Sequence, residues 1–193
     1  MQAVVESIDA GKSPNASSSP AGLNEFGVLK VSAVGKNAYC PEENKALLDA
    51  RDFIPTAIVK EGDFLVTRAN ARPQGVARSC IADRTILNLM LSDKTWRINF
   101  RSNAPSKRLI LAWTQMPKFR SYVESICSGT EAKNISQEKF LASPMIEMGE
   151  HERGNCERTL QQVDASRILI EARREYAKKL LLGLMRQVFE EEH

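Results

Sequence analysis

The last quarter of the chain constrains its fold more than any other stretch. From Glu157 to Phe189 it reads ERTLQQVDASRILIEARREYAKKLLLGLMRQVF, with no proline and a single glycine, Gly183, near the far end. Leu160, Val163, Ile170, Ala177, Leu181, Leu184 and Val188 recur at alternating three- and four-residue steps, the spacing of one helical face. Arg167 and Arg174 fall on the same seam, where their stems can lie along apolar surface while the guanidinium groups reach water. A second apolar row, Leu169, Ala172, Tyr176 and Leu180, lies about a third of a turn away. At 1.5 Å per residue such a helix is roughly 50 Å long, longer than a small domain is wide. One domain cannot easily cover two apolar rows along that length. The spacing therefore predicts an arm packed against another long helix, from a second copy or a partner, in preference to a helix folded back on its own core.

What precedes the arm has the size of one ordinary domain within a chain of 193 residues, 42% of them hydrophobic and 26% charged. No apolar run approaches the ~20 residues that cross a bilayer, and MQAVVESIDAGK lacks a secretory apolar region, so the chain reads as cytoplasmic and not membrane-bound. Cys40, Cys80, Cys127 and Cys156 are widely spaced and the histidines are His151 and His193, which argues against both a zinc site and a disulfide framework. Net charge is +3, unevenly placed: residues 30–139 hold 18 Lys and Arg against 11 Asp and Glu, and each flank is mildly acidic. A basic middle suits a phosphate-facing surface.

Taken in order, the domain starts with a short strand near Val4–Ile8 and a loop over residues 11–22, GKSPNASSSPAG. Gly27 to Gly35 reads as a buried strand and Asn37 to Leu48 as a loop. Ala57–Val59 and Asp63–Arg68 read as two strands around Glu61-Gly62, with further strands at Val76–Ile81 and Thr95–Phe100. Helical spacing then takes over. Ser106 is placed to cap a helix with Leu109, Ile110, Trp113 and Met116 on one face. Pro117 opens a second, with Phe119, Tyr122, Val123 and Ile126 inward and Gly129 as its stop. That spacing makes these aromatics core residues. Residues 128–137 form a polar loop.

Catalytic motifs are missing: no G-x-S-x-G, P-loop or G-x-G-x-x-G occurs, and two histidines leave little for a nucleophile–base pair. Glu43-Asn44-Lys45 and Glu131-Ala132-Lys133 match the E-x-K end of a Mg²⁺-dependent nuclease site, a pattern short enough to arise by chance. DNA binding fits better. Cations and hydroxyls meet phosphates, and Arg, Asn, Gln or Lys reach base edges. Thr67-Arg68-Ala69-Asn70-Ala71-Arg72 offers two arginines and an asparagine in a strand-to-loop passage, and Lys133-Asn134-Ile135-Ser136-Gln137 offers four more such groups.

The segments VLKVSAVGKNAYCPEENKAL, VKEGDFLVTRANARPQGVARSCI, LSDKTWRI and SGTEAKNISQEKFLASP, in this order, resemble a target-recognition domain of the specificity subunits of type I restriction–modification systems. The arm is similar to the helical regions of that family, so the resemblance extends over roughly residues 1–189. It is carried most specifically by EGDFLVTRAN and the SGT…KNIS segment. Before the helix the family has a Pro-Pro-Leu-x-Glu-Gln-like stretch, whereas this chain reads MIEMGEHERGNC. Family members generally carry two recognition domains and two helical regions, and this chain carries one of each.

The resemblance implies an α+β fold: a mixed-strand recognition domain over residues 1–148 and a helical region over 149–193 that forms an antiparallel coiled-coil dimer. Two copies related by a two-fold axis would read an inverted repeat, with the ~50 Å arms setting the domains on the order of fifteen base pairs apart at most. The implied function is a non-catalytic subunit, without cofactor or metal, that recognises double-stranded DNA and docks a modification methyltransferase subunit and, through it, a restriction subunit. Methyl transfer, S-adenosylmethionine and ATP belong to those partners. The expected DNA contacts are Lys30, Ser32, Lys36, Arg68, Asn70, Arg72, Lys94, Arg97, Lys133, Asn134, Ser136 and Gln137. The expected interface is Leu160, Val163, Ile170, Tyr176, Ala177, Leu181, Leu184 and Val188. The rival readings are a stand-alone DNA-binding protein or recognition fragment, and a small Mg-dependent nuclease.

Overall fold

A computed structural model describes residues 1–35, 38–85 and 88–190, with side chains to Arg186. Lys36 and the Val188 side chain, both among the expected contacts, lie outside the described residues. The chain divides into two units, Met1–Glu147 and Met148–His193.

The first unit is mixed α+β. Nine strands occur among its described residues: β1 (Val5–Ala10), β2 (Gly27–Leu29), β3 (Asn44–Ala46), β4 (Phe64–Thr67), β5 (Ala69–Asn70), β6 (Ser79–Ile81), β7 (Leu89–Met90), β8 (Thr95–Phe100) and β9 (Lys133–Asn134). Three helices accompany them: α1 (Lys107–Gln115), α2 (Pro117–Ile126) and α3 (Gln137–Leu141). The main sheet runs β1-β8-β4-β6, antiparallel throughout. A second sheet, β3-β2-β7, pairs β2 with β7 in parallel, and β5 and β9 form a separate antiparallel ribbon.

Strand β4 shows why this order is stable. All four of its residues are buried, so its alternating side chains must meet apolar surface on both faces. Phe64 and Val66 join Trp96, Ile98, Ile110, Trp113, Phe119 and Phe140 in the core under the helices. Leu65 points the other way, into a second core with Cys80 of β6 and with Leu29, Val34, Leu89 and Leu91 in and beside the smaller sheet. The main sheet is thus the middle layer, and β4 reads as a nearly continuous apolar run for that reason.

The helical expectations for α1 and α2 are met in detail. The Ser106 hydroxyl accepts from the Leu109 N–H at 3.2 Å, and Pro117 is the first residue of α2. Trp113 and Phe119 are buried in the core, and the Trp113 indole N–H donates to the Pro144 carbonyl at 2.9 Å. Met116 is the exception: it is half exposed, because it is the linking residue between the helices and not part of the α1 face.

Several strand expectations are corrected. The run from Gly27 to Gly35 is a strand only to Leu29; Val31–Ala33 then tightens into a 3₁₀ turn, and Cys40 N–H closes back on Ala33 O at 2.9 Å. The β-branched residues there reported burial, which a turn can supply as well as a strand. Asn44–Ala46, expected as loop, is β3, opposite Gly27–Leu29. Ala57–Val59 does not pair with β4, because Pro55 starts a 3₁₀ turn and the backbone of Ala57 and Val59 bonds to Leu91 and Leu89. Gly129 does not stop α2, which Cys127 already ends. It sits at φ +107° inside the turn joining Ser128 to Asn134, where a Cβ would lie 2.1 Å from the Ala132 carbonyl.

The second unit is one helix, α4 (Glu150–Glu190), of 41 residues and so about 60 Å long. It starts earlier than its apolar seam. The Glu152 carboxylate reaches back to the Gly149 N–H at 3.1 Å while Gly149 O accepts from Arg153 N–H, one half of a capping box. From position 165 to 186 its side chains are exposed. Of the expected interface, Val163, Ile170, Tyr176, Ala177, Leu181 and Leu184 are exposed, while Leu160 is half-buried. Ile168, Leu182 and Met185 are exposed apolar residues beyond the two rows named from the sequence. Leu180, Leu181, Leu182, Leu184 and Met185 together widen the apolar surface to roughly half of the helix circumference, opposite Glu175, Lys179 and Arg186. No helix among the described residues is long and apolar enough to cross a membrane.

Candidate nucleic-acid interface

The two polar segments that sequence singles out are far apart in the chain and adjacent in space. β5 and β9 pair with Ala69 opposite Asn134 and Asn70 opposite Lys133. Directly opposed side chains share a face of the ribbon, so Asn70 and Lys133 stand together on one side and Asn134 on the other. The ribbon is pinned from beneath by Ile135, fully buried in the main core, whose N–H donates to Arg68 O at 3.1 Å. This arrangement brings together Arg68, Asn70, Arg72, Lys133, Asn134, Ser136 and Gln137.

Their individual roles differ. Arg68 and Arg72 are exposed. Asn70 is half-buried, and its Oδ1 accepts from the Arg72 N–H at 3.3 Å, an Asx turn that fixes the path of the backbone to Arg72. Lys133 Nζ donates to Gly129 O at 2.7 Å. Asn134 Oδ1 accepts from the Ser128 hydroxyl at 3.4 Å. Ser136 caps α3, its hydroxyl accepting from Lys139 N–H at 3.2 Å, and Gln137 is the first, exposed residue of that helix.

Three residues that sequence reasoning did not single out hold this surface in shape. Thr67 Oγ1 donates to Gly75 O at 2.6 Å and accepts from Arg78 N–H at 3.0 Å. Arg120, on α2, donates to Ala77 O, Val76 O and Gln74 O at 3.1, 2.8 and 3.3 Å. Gly75 is buried against Asn70, whose Cγ would lie 2.2 Å from any added Cβ. A polar residue in the run FLVT and an arginine on an amphipathic helix carry no pattern that announces such service.

Lys30 and Lys94 belong to a neighbouring cleft of about 330 Å³, lined also by Lys45. The cleft adjoins the ribbon through Arg68, whose N–H donates to Lys94 O at 2.8 Å. Burial alone would raise the Asp93 carboxyl, but a hydrogen bond from Ser13 and the Lys94 and Arg68 charges hold it below its ordinary value. Ser32 is turned to Glu43, donating to its carboxylate at 2.6 Å, and is not brought to the ribbon.

Arg97 is the clear correction. Only 13% of its side chain is exposed, and its guanidinium is consumed by Asp9, Asp63 and the carbonyls of Thr56 and Ile58. It lies opposite Leu65 on the inner sheet, where it ties β1 and the 56–58 segment to β8. An arginine in a strand looks the same in sequence whether its head meets solvent or carboxylates.

The nuclease-like triplets gain no support from this geometry. Lys133 is bonded to a loop carbonyl, and among the described residues no three His, Cys, Asp or Glu side chains are grouped to hold a metal ion.

No protein-family model matches the chain. It is 34% identical over 145 residues to the type I restriction enzyme EcoEI specificity subunit of Escherichia coli, a match covering 74% of this chain and 24% of that protein. The chain thus spans about a quarter of that relative's length. The S subunit of a type I restriction–modification system from M. genitalium superposes on the whole chain and on 45% of its own length, with a TM-score of 0.59 at 15% identity, a likeness of fold.

Proposed function

We infer that this chain, which belongs to the specificity-subunit family of type I restriction–modification systems, supplies the DNA-recognition surface of such a system without catalysing any reaction itself. One observation supports this most: the pairing of β5 with β9 gathers Arg68, Asn70, Arg72, Lys133 and Asn134 in and beside one ribbon rooted in the core. A two-stranded ribbon fits the major groove of B-DNA, where Arg, Asn and Lys can meet base edges. Ser136, Gln137, Lys30 and Lys94 flank it as phosphate or base contacts, with Ser32 further out and Arg97 withdrawn to a structural role.

The recognition domain on this reading is residues 1–148, and α4 is the assembly arm. Its exposed apolar residues support coverage by other helices: those of a second copy in an antiparallel two-fold pair, and those of a modification methyltransferase subunit through which a restriction subunit joins. Methyl transfer and ATP-driven steps rest with those partners.

Selection from random-sequence duplexes tests the core of the proposal. The chain should enrich a defined sequence, and Arg72→Ala should lose about 1–3 kcal/mol of discrimination at one position if Arg72 makes a bidentate base contact. Absence of enrichment, with Arg68→Ala and Arg72→Ala binding as the parent does, would defeat it.

A further inference from the structure

The cleft beside the ribbon has a composition of its own. Strands β2 and β3 floor it, with Val28 directly opposite Lys45, and Lys94 enters from the start of β8. Three lysines and no carboxylate line it, with the Asn15 amide and the hydroxyls of Ser92 and Ser13, the latter donated to Asp93. Lys45 is the exposed middle residue of β3 between buried Asn44 and Ala46, and it makes no ion pair among the described residues. Lys30 and Lys94 have only loose partners, Glu43 at 3.9 Å and Asp93 at 3.5 Å. Charge-assisted bonds are closer, at about 2.7–2.9 Å, so both ammonium groups remain open to a stronger anion.

We propose that the Lys30–Lys45–Lys94 cleft seats the phosphodiester backbone of duplex DNA, as a sequence-independent clamp beside the base-facing ribbon. This rests on the DNA-recognition reading above and deepens it: Lys45 joins Lys30 and Lys94, and all three are assigned to phosphate and none to a base. The chemistry favours a passing polyanion over a small ligand. Lysine is a flexible point charge that suits phosphate without dictating orientation. The cleft is open and far larger than one phosphate, and it carries no arginine fork to fix a single anion. Its position also suits the task, because Arg68 joins its Lys94 wall to the ribbon through a backbone hydrogen bond. A strand lying in the cleft would therefore continue past the side chains that face bases. Phosphate contacts of this kind set register and carry no sequence information.

The test is binding of the full-length chain to its selected duplex and to a long mixed-sequence duplex, across a salt series. Lys45→Ala should weaken both complexes several-fold and alike, leave their ratio unchanged, and reduce the slope of log affinity against log salt by about 1. Removing Lys30, Lys45 and Lys94 together should reduce it by about 3, and Lys45→Arg should keep it. Because Lys45 is exposed, unchanged circular dichroism and melting would separate binding from folding. A variant that binds both duplexes with the parent's slope overturns the clamp while leaving the recognition reading intact. So does a Lys45→Ala that changes the preferred sequence, which would make the residue a base reader. A parent that binds neither duplex removes the recognition reading itself.

Discussion

Arg97 grips Asp9 directly across the β1–β8 pair, with Nε and Nη2 both donating to Oδ2 at 2.9 and 2.8 Å. The same guanidinium reaches Asp63 at 3.3 Å and two carbonyls of the 56–58 segment. Removing it leaves Asp63, only 16% exposed, with the Lys60 N–H at 2.8 Å but no charged partner, and two carbonyls without their side-chain donor. Arg97→Met should therefore cost about 2–4 kcal/mol of stability. Urea unfolding measures the loss. Duplex affinity of the folded fraction should not change, in contrast with Arg72→Ala, and a large affinity loss at unchanged stability would return Arg97 to the contact surface.

The Asp9 side of this pair carries a pH dependence. Burial alone would raise its carboxyl, but hydrogen bonds from Arg97 and Asn99 and the Arg97 charge hold it below its ordinary 3.8. A carboxyl depressed on folding binds its proton more readily in the unfolded chain. Its stabilising share is thus full above the unfolded value and lost as pH falls through the folded one. Asp9 is about 41% exposed, so solvent screening keeps that share to about 1 kcal/mol or less. Asp9→Asn should be slightly less stable than the parent near neutrality and lose less on acidification below pH ~4. Denaturant midpoints across that range check the sign, and parallel curves for the two proteins would contradict it.

Gly75 tests how the Arg72 loop is held. An added Cβ would meet the Asn70 side chain at 2.2–2.5 Å, so Asn70 must swing away and give up its bond to the Arg72 N–H. Gly75→Ala should cost about 1–3 kcal/mol of stability, the usual range for forced overpacking. It should also loosen the backbone to Arg72, seen as faster amide exchange at Arg72 with little change at β8. Unchanged exchange would mean that Arg120 and Thr67 alone hold the loop.

Periodicity made some of this architecture legible. Helices α1 and α2, their cap at Ser106 and their inward aromatics follow from spacing and terminal chemistry, which depend on neighbours in the chain. The segments around Asn70 and Asn134 could be named as polar and cation-bearing, but their pairing could not, since strands of two residues carry no alternation to read. β3 was hidden similarly within EENKAL, and Lys45 with it. Arg97 shows the opposite failure: its residue type suggested a surface role, and the deciding carboxylates, Asp9 and Asp63, lie 88 and 34 positions away. Periodicity alone begins α4 only near Glu157, because HERGNC is polar and holds Gly154; the start at Glu150, close to the 149 that the family resemblance implied, is marked by the Gly149–Glu152 cap.

Along α4, Leu180, Leu181, Leu182, Leu184 and Met185 spread over roughly half of the helix circumference, opposite Glu175, Lys179 and Arg186, and Leu181 and Leu184 are each more than half exposed. An apolar arc that wide exceeds the stripe a single neighbouring helix covers, so the proposed assembly has more than one helix against this stretch. Leu181→Glu with Leu184→Glu would put unpaired carboxylates into that contact at a cost of about 3 kcal/mol or more, weakening association on the order of a hundredfold. The substitutions touch only exposed positions, so the variant's melting as a single chain should match the parent's. Sedimentation at micromolar concentration should give a pair of chains for the parent and one chain for the variant. A parent that sediments as one chain at every concentration would rule out the self-pair and leave the methyltransferase subunit as the proposed cover. A variant that still pairs would move the contact to the Val163–Ile170 end of the arm.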